Sequence, residues 1–121
     1  MGKTILIIED SSENRILLRD VLAFEGYEVF EAENGALGVS MAKALLPELI
    51  FMDIQMPVMD GLTALRHLRE MPETSALTVV ALTSFAMKGD RERFLEAGFD
   101  DYISKPVHPN SILGLVKKYL G

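Results

Sequence analysis

The 121-residue chain has no cysteine, which excludes disulfide staples and thiolate metal sites and suits a reducing compartment. It also lacks long apolar runs. The longest, such as Thr4 to Ile8 and Leu77 to Leu82, have the length of strands, and no charged amino-terminal segment leads into a secretory core. A soluble, cytoplasmic protein is expected, with no membrane contact. Basic charge is scarce: a net charge of −6 argues against direct nucleic-acid binding, which needs clustered Lys and Arg. Arg66, Arg69, Lys88, Arg91 and Arg93 are interspersed with acids and read as a solvated mixed-charge face. The two histidines, His67 and His108, have no metal-ligand companion at useful spacing. Gly35-Ala36-Leu37-Gly38 is too short for a dinucleotide loop, and no phosphate-binding Lys motif exists. No internal repeat or low-complexity tract divides the chain, and its length fits one domain over residues 1–121, with no output domain.

What the sequence does contain is a stretch around Asp53. Leu49 to Met52 is apolar and bounded by Pro47 and by the Pro57 to Gly61 turn signals, so it reads as a strand buried on both faces. It leads directly into a carboxylate. Asp60, just before Gly61 and the Leu62, Leu65, Leu68 pattern, is the better helix cap, which leaves Asp53 spare for chemistry.

The same logic orders the rest. Thr4 to Ile8 is a strand ending in Glu9-Asp10, followed by a helix from about Ser12, capped by Ser11 or Ser12 and stopped by Gly26. Ile16, Leu17, Val21, Leu22 and Phe24 supply its expected apolar face. Glu28 to Ala32 has the weaker patterning of an edge strand. A helix from about Ala36 to Leu46 has Leu37, Met41 and Leu45 at helical spacing and closes at Pro47. After Asp53 come a helix from Leu62 to about Met71, a strand from Leu77 to Leu82 ending in Thr83-Ser84, and a helix from about Lys88 to Ala97. A short strand, Asp101 to Ser104, runs into Lys105-Pro106, and a helix from Pro109 or Asn110 to Leu120 follows, with Ile112, Leu113, Val116 and Leu120 inward. Seven Met residues read as core filler, with Met56 and Met59 shaping the loop after Asp53.

Five strands alternating with five helices specify right-handed βαβ units and an α/β fold with helices on both faces of a parallel sheet. The expected architecture is a flavodoxin-like doubly wound five-stranded sheet in the order 2-1-3-4-5, which places the first and third strands side by side. Glu9, Asp10, Asp53, Thr83 and Lys105 then collect at one sheet end. Carboxylates within about 6 Å of each other repel by about 3 kcal/mol per pair at an effective dielectric near 20. A cation must offset this, and magnesium suits oxygen ligands without His or Cys. Lys105 supplies a point charge for a phosphoryl oxygen, and Thr83 a hydroxyl donor. A purely structural polar network is the alternative at this point.

The order Glu9-Asp10, Asp53 with Met56-Pro57-x-x-Asp60-Gly61, Thr83 and Lys105-Pro106 resembles the receiver domain of two-component response regulators, from end to end of the chain. That resemblance implies phosphoryl transfer from a phosphohistidine of a partner onto Asp53. It implies that Asp10, Asp53 and the backbone carbonyl of Gln55 hold Mg2+, for which Mn2+ can substitute, with Glu9 acting through a water. It also implies a cis Lys105-Pro106 bond and a switch made by Thr83 and Tyr102, which alters the face of the fourth helix, fifth strand and fifth helix. Ser84 stands where Ala is more usual, and Phe85 beside the phosphoryl site predicts slow self-dephosphorylation. The implied partners are a histidine kinase or histidine phosphotransfer protein, docking near the first helix and the Asp53 loops, and a downstream target protein. The Ala86 to Asp90 segment resembles phosphorelay receivers. The chain is then a signalling switch rather than an enzyme with external turnover. A phosphorylation-independent receiver-like interaction module is the alternative. A phosphatase would want a second carboxylate two residues after Asp53, where Gln55 stands.

Overall fold

Apolar runs bounded by turn formers become five parallel strands: β1 (Thr4–Ile8), β2 (Glu28–Ala32), β3 (Leu49–Asp53), β4 (Val79–Thr83) and β5 (Asp101–Ser104). Between and after them lie α1 (Ser12–Phe24), α2 (Gly35–Leu45), α3 (Gly61–Glu70), α4 (Asp90–Ala97) and α5 (Pro109–Leu120). The structure is a computed structural model that describes residues 3–84 and 89–121. Phe85, and the expected start of the fourth helix at Lys88 with the Ala86 to Lys88 part of its segment, lie outside the described residues. The sheet order is β2-β1-β3-β4-β5, as expected. β3 lies between β1 and β4 and is buried along its whole length.

Successive residues of a strand face opposite sides, so the inner strands feed two cores. On one side Leu6, Ile8, Ile50, Met52, Val79 and Ala81 pack with Ala64, Leu65, Leu68 and Phe94 of α3 and α4. On the other, Ile5, Ile7, Phe51, Val80 and Leu82 pack with residues of α1 and α5. Side-chain oxygens of Ser11, Asn34 and Asp60 accept the backbone N–H three residues on, capping α1, α2 and α3.

Several inward assignments are corrected. On α1 the buried residues are Leu18 and Leu22, with Leu17 and Val21 beside them. Phe24 is 89% exposed and Ile16 44% exposed. Phe24 lies two residues past Leu22, a rotation of about 200° that carries it to the outer face. Leu37 of α2 is also exposed, because that helix packs through Gly35, Gly38 and Ala42. A Cβ on Gly38 would collide with the Ile8 side chain, so the small residue lets α2 approach β1. Leu62 sits at the rim of α3, whose buried stripe is Ala64, Leu65 and Leu68. On α5, Ile112 and Val116 are buried while Leu113 and Leu120 are only partly so. β4 begins at Val79 rather than Leu77.

Arg69 departs furthest from the solvated face. Its guanidinium donates to the carbonyls of Ser75 (2.9 Å), Leu77 (2.6 Å) and Gly98 (2.8 and 3.2 Å) and pairs with Asp100 (3.1 Å). Asp100 in turn accepts the Val79 N–H at 2.8 Å, so one side chain ties α3 to the start of β4 and to the approach to β5. Thr74, fully buried, donates its hydroxyl to the Leu68 carbonyl at the end of α3.

Candidate functional site

The register fixes the centre of the site. Ile8 pairs with Met52, so the next residues, Glu9 and Asp53, emerge side by side at the carboxyl ends of β1 and β3. Both are buried, at 0% and 2% exposure. Lys105, just beyond β5, reaches between them: its Nζ lies 2.9 Å from Glu9 Oε1 and 3.1 Å from Asp53 Oδ1. The Gln55 backbone N–H donates to Asp53 Oδ1 at 3.3 Å. Asp10 follows Glu9 but is exposed, and Glu9, Asp10 and Asp53 each bring a carboxylate oxygen within 4.8 Å of the others. Thr83, 1% exposed, ends β4 one residue past the Asp53 to Leu82 pairing, and its carbonyl accepts the Lys105 N–H at 2.8 Å.

One ammonium serves two buried carboxylates. Burial pushes the Asp53 carboxyl up to about 6, helped by its hydrogen bond and charge interaction with Glu9 and only partly opposed by Lys105. Burial alone would pull Lys105 down, but its contacts with Glu9 and Asp53 hold it above the ordinary lysine value. Among the described residues Glu9 Oε2 and Asp53 Oδ2 have no hydrogen-bond partner. Buried acceptors are rarely left so, and a divalent cation fits them: the donors are hard carboxylate oxygens, close together and carrying excess negative charge.

The remaining expected residues take separate places. The Lys105-Pro106 peptide bond is cis. Tyr102 is half-buried on β5, packs against the core on the α3 and α4 side, and borders a groove of about 440 Å³ with Lys105, His108, Ser111 and Leu115. His67 and His108 are exposed. Asn14 and Arg15 on α1 were not anticipated. Asn14 Nδ2 donates to Glu9 Oε1 at 2.7 Å, and Arg15 Nη1 donates to the carbonyls of Glu9 (2.8 Å) and Asp10 (3.2 Å). The one available signal was two amide or guanidinium donors a single helical turn after an acid pair.

Parallel strands that deliver two buried acids, a hydroxyl and a lysine to one sheet end define a receiver of two-component signalling. The chain belongs to the response regulator receiver domain family, whose model matches residues 5–117. It is 40% identical over 121 residues to the polar-differentiation response regulator DivK of Brucella anthropi, covering all of this chain and 98% of that protein. The DivK of Brucella ovis is 39% identical over the same coverage. Among solved structures, the receiver domain of a sensor histidine kinase of Pseudomonas aeruginosa, with magnesium coordinated in its active-site cleft, superposes with a TM-score of 0.91 at 32% identity, covering 100% of this chain and 99% of that one. The receiver domain of a signal transduction histidine kinase of Syntrophus aciditrophicus gives 0.88 at 34% identity, covering 98% and 90%. Receivers are signalling switches that work with histidine kinases and downstream targets. Among the described residues no helix is long and apolar enough to cross a membrane.

Proposed function

We propose that Asp53 accepts a phosphoryl group from a phosphohistidine of a histidine kinase or histidine phosphotransfer protein, as one step of a phosphorelay. The observation that carries this reading is the pair of unpartnered, buried carboxylate oxygens on Glu9 and Asp53 beside Lys105. With its carboxyl raised to about 6, Asp53 is still ionised at neutral pH but more basic than an ordinary aspartate. An Asp53 oxygen attacks phosphorus, the P–N bond breaks with its electron pair returning to the imidazole, and an acyl phosphate forms. Catalysis of such a transfer is chiefly positioning and charge neutralisation. Lys105 pairs with one phosphoryl oxygen and the Thr83 hydroxyl donates to another.

Asp10, Asp53 and the backbone carbonyl of Gln55 would hold magnesium, or manganese in its place, with Glu9 acting through a water. The bound metal supplies positive charge to the phosphoryl oxygens. Capture of the Thr83 hydroxyl biases a two-state equilibrium in which Tyr102 turns inward and the face of α4, β5 and α5 changes for a target protein. We further propose that residues 1–121 act in the cytoplasm as one receiver unit, supported by the near end-to-end match with the Brucella regulators.

Intact mass after incubation with acetyl phosphate, with and without magnesium, tests the reading on this chain and on Asp53→Asn. A magnesium-dependent gain of one phosphate that the variant lacks is expected. A folded chain that takes none in the presence of magnesium would instead be a phosphorylation-independent interaction module.

A further inference from the structure

We propose that Arg15 and Asn14 are positioning residues of the acid pocket: Arg15 fixes the Glu9-Asp10 turn through both of its carbonyls, and Asn14 fixes the Glu9 carboxylate. Cation affinity at the pocket depends on each. This inference rests on the reading that the pocket holds magnesium for phosphoryl transfer to Asp53.

β1 ends at Ile8, and the Glu9 N–H still bonds the Ala32 carbonyl of β2 at 3.0 Å. Asp10 lies beyond that pairing and is exposed, yet its carboxylate has to meet those of Glu9 and Asp53. The direction of the Asp10 side chain follows from the backbone of the turn, and Arg15 Nη1 holds that backbone by its two successive carbonyls, at 2.8 and 3.2 Å. The guanidinium is itself held from the far side. Arg15 Nε lies 3.4 Å from Glu31 Oε1 on β2, and the other Glu31 oxygen lies 3.6 Å from Arg19. A planar fork with five donors can span two carbonyls and a carboxylate, which an ammonium cannot.

Asn14 occupies the third position of α1. In a capping box the side chain there reaches back to the backbone of the cap residue. Here the Asn14 N–H takes the Ser11 hydroxyl, while its amide goes to Glu9 Oε1 at 2.7 Å. Lys105 shares that oxygen, so both donors grip one side of the carboxylate and Oε2 is left without a partner among the described residues. Such a grip sets which Glu9 oxygen stays available to a cation or its water.

Charge and geometry predict opposite signs for the loss of Arg15. Removing a cation near three carboxylates would tighten magnesium binding if field strength decided. The ion pair with Glu31 largely neutralises that field at the pocket, so the loss of backbone restraint should win and binding should weaken.

The test is a magnesium titration of the whole chain followed by amide NMR shifts, paired with the rate of acetyl-phosphate labelling against magnesium concentration. Variants are Arg15→Ala, Arg15→Lys and Asn14→Ala. Loss of a group that orients a metal ligand typically weakens affinity 10–100-fold, so the magnesium midpoint should rise about tenfold in both alanine variants, with the rate at saturating magnesium largely kept. Arg15→Lys, which keeps the charge but not the fork, should fall between wild type and Arg15→Ala. An unchanged or lower midpoint in the alanine variants, a Tm loss with no change in midpoint, or an Arg15→Lys chain equal to wild type would each overturn the inference. Should Arg15→Ala fail to fold, Asn14→Ala and Arg15→Lys decide it. A wild-type chain that neither binds magnesium nor takes a phosphoryl group sinks the underlying reading and this inference with it. A competent wild type matched by every variant sinks the inference alone.

Discussion

Replacing Asp53 by Asn should make the metal-free protein more stable while abolishing the proposed phosphoryl transfer. Asn keeps the size of Asp and an acceptor for Lys105 and the Gln55 N–H, but removes a charge that is 2% exposed. The carboxyl moves from 3.8 to about 6 on folding, chiefly through burial. At about 1.4 kcal/mol per pH unit, the ionised group costs the native state about 3 kcal/mol. Because the folded value is raised, the favourable contribution is complete below 3.8 and is lost as the pH rises through about 6. The lost attraction to Lys105 offsets part of the gain, although Lys105 keeps Glu9. A stabilisation of about 1–3 kcal/mol is therefore expected at neutral pH.

Urea denaturation of wild type and Asp53→Asn in EDTA, followed by far-UV circular dichroism, measures this directly. The gap should be widest at neutral pH and close as the pH falls toward 4, where wild-type Asp53 takes up its proton. Magnesium should close it too, since a ligand at a hundred times its Kd adds about 2.7 kcal/mol to the form that binds it. An Asp53→Asn chain less stable than wild type in EDTA at neutral pH, or a gap independent of pH, would refute the reasoning.

Two further perturbations read the scaffold. Arg69→Met keeps the apolar stem but leaves the carbonyls of Ser75, Leu77 and Gly98 without their donor, and should cost about 3 kcal/mol in urea denaturation, against almost nothing for the exposed Arg66→Met. Asp101, although burial acts to raise it, is held below the ordinary aspartate value by Lys118, the Tyr102 N–H and the Tyr119 hydroxyl. Its contribution is present above 3.8 and lost as the pH falls through the lower folded value, so Asp101→Asn should lower Tm by about 4 °C at neutral pH and by progressively less in acid.

The sheet was legible because each inner strand is an apolar run stopped by a turn former, and the acid pocket because carboxylates stood at the ends of those runs. Their proximity needed only the strand order, since Glu9 and Asp53 each follow the last mutually paired residue, Ile8 or Met52. Helix faces were harder. On α1, Leu18 and Phe24 are equally apolar, and only the packing direction sends Leu18 inward and Phe24 out. α2 packs through glycine and alanine, which apolar periodicity does not register. Arg69 and Arg15 escaped notice for a shared reason: both grip main-chain carbonyls, which carry no residue identity, and Arg69 does so across 29 positions. An arginine on a helix surface and one that clasps a turn look alike until the fold brings the carbonyls to it.

The pocket's charge imbalance follows from the topology rather than from any one residue. Parallel strands deliver Glu9 and Asp53 to the same sheet end, and Asp10 follows on the same turn, so three carboxylates gather where, among the described residues, Lys105 brings one ammonium to two of them. The pocket cannot relax by moving its strands apart, because β3 is buried throughout between β1 and β4. Lys105 contacts one oxygen of each buried carboxylate, and the other two, Glu9 Oε2 and Asp53 Oδ2, remain unpartnered among the described residues. Relief has to come from outside the chain, as a cation or as a proton on Asp53. Each such event changes the stability of the whole domain by a few kcal/mol, because a buried charge is felt by the fold that buries it. The burial that makes the ionised Asp53 costly is then the same feature that, on the proposed function, would couple a cation or phosphoryl group there to the stability of the domain.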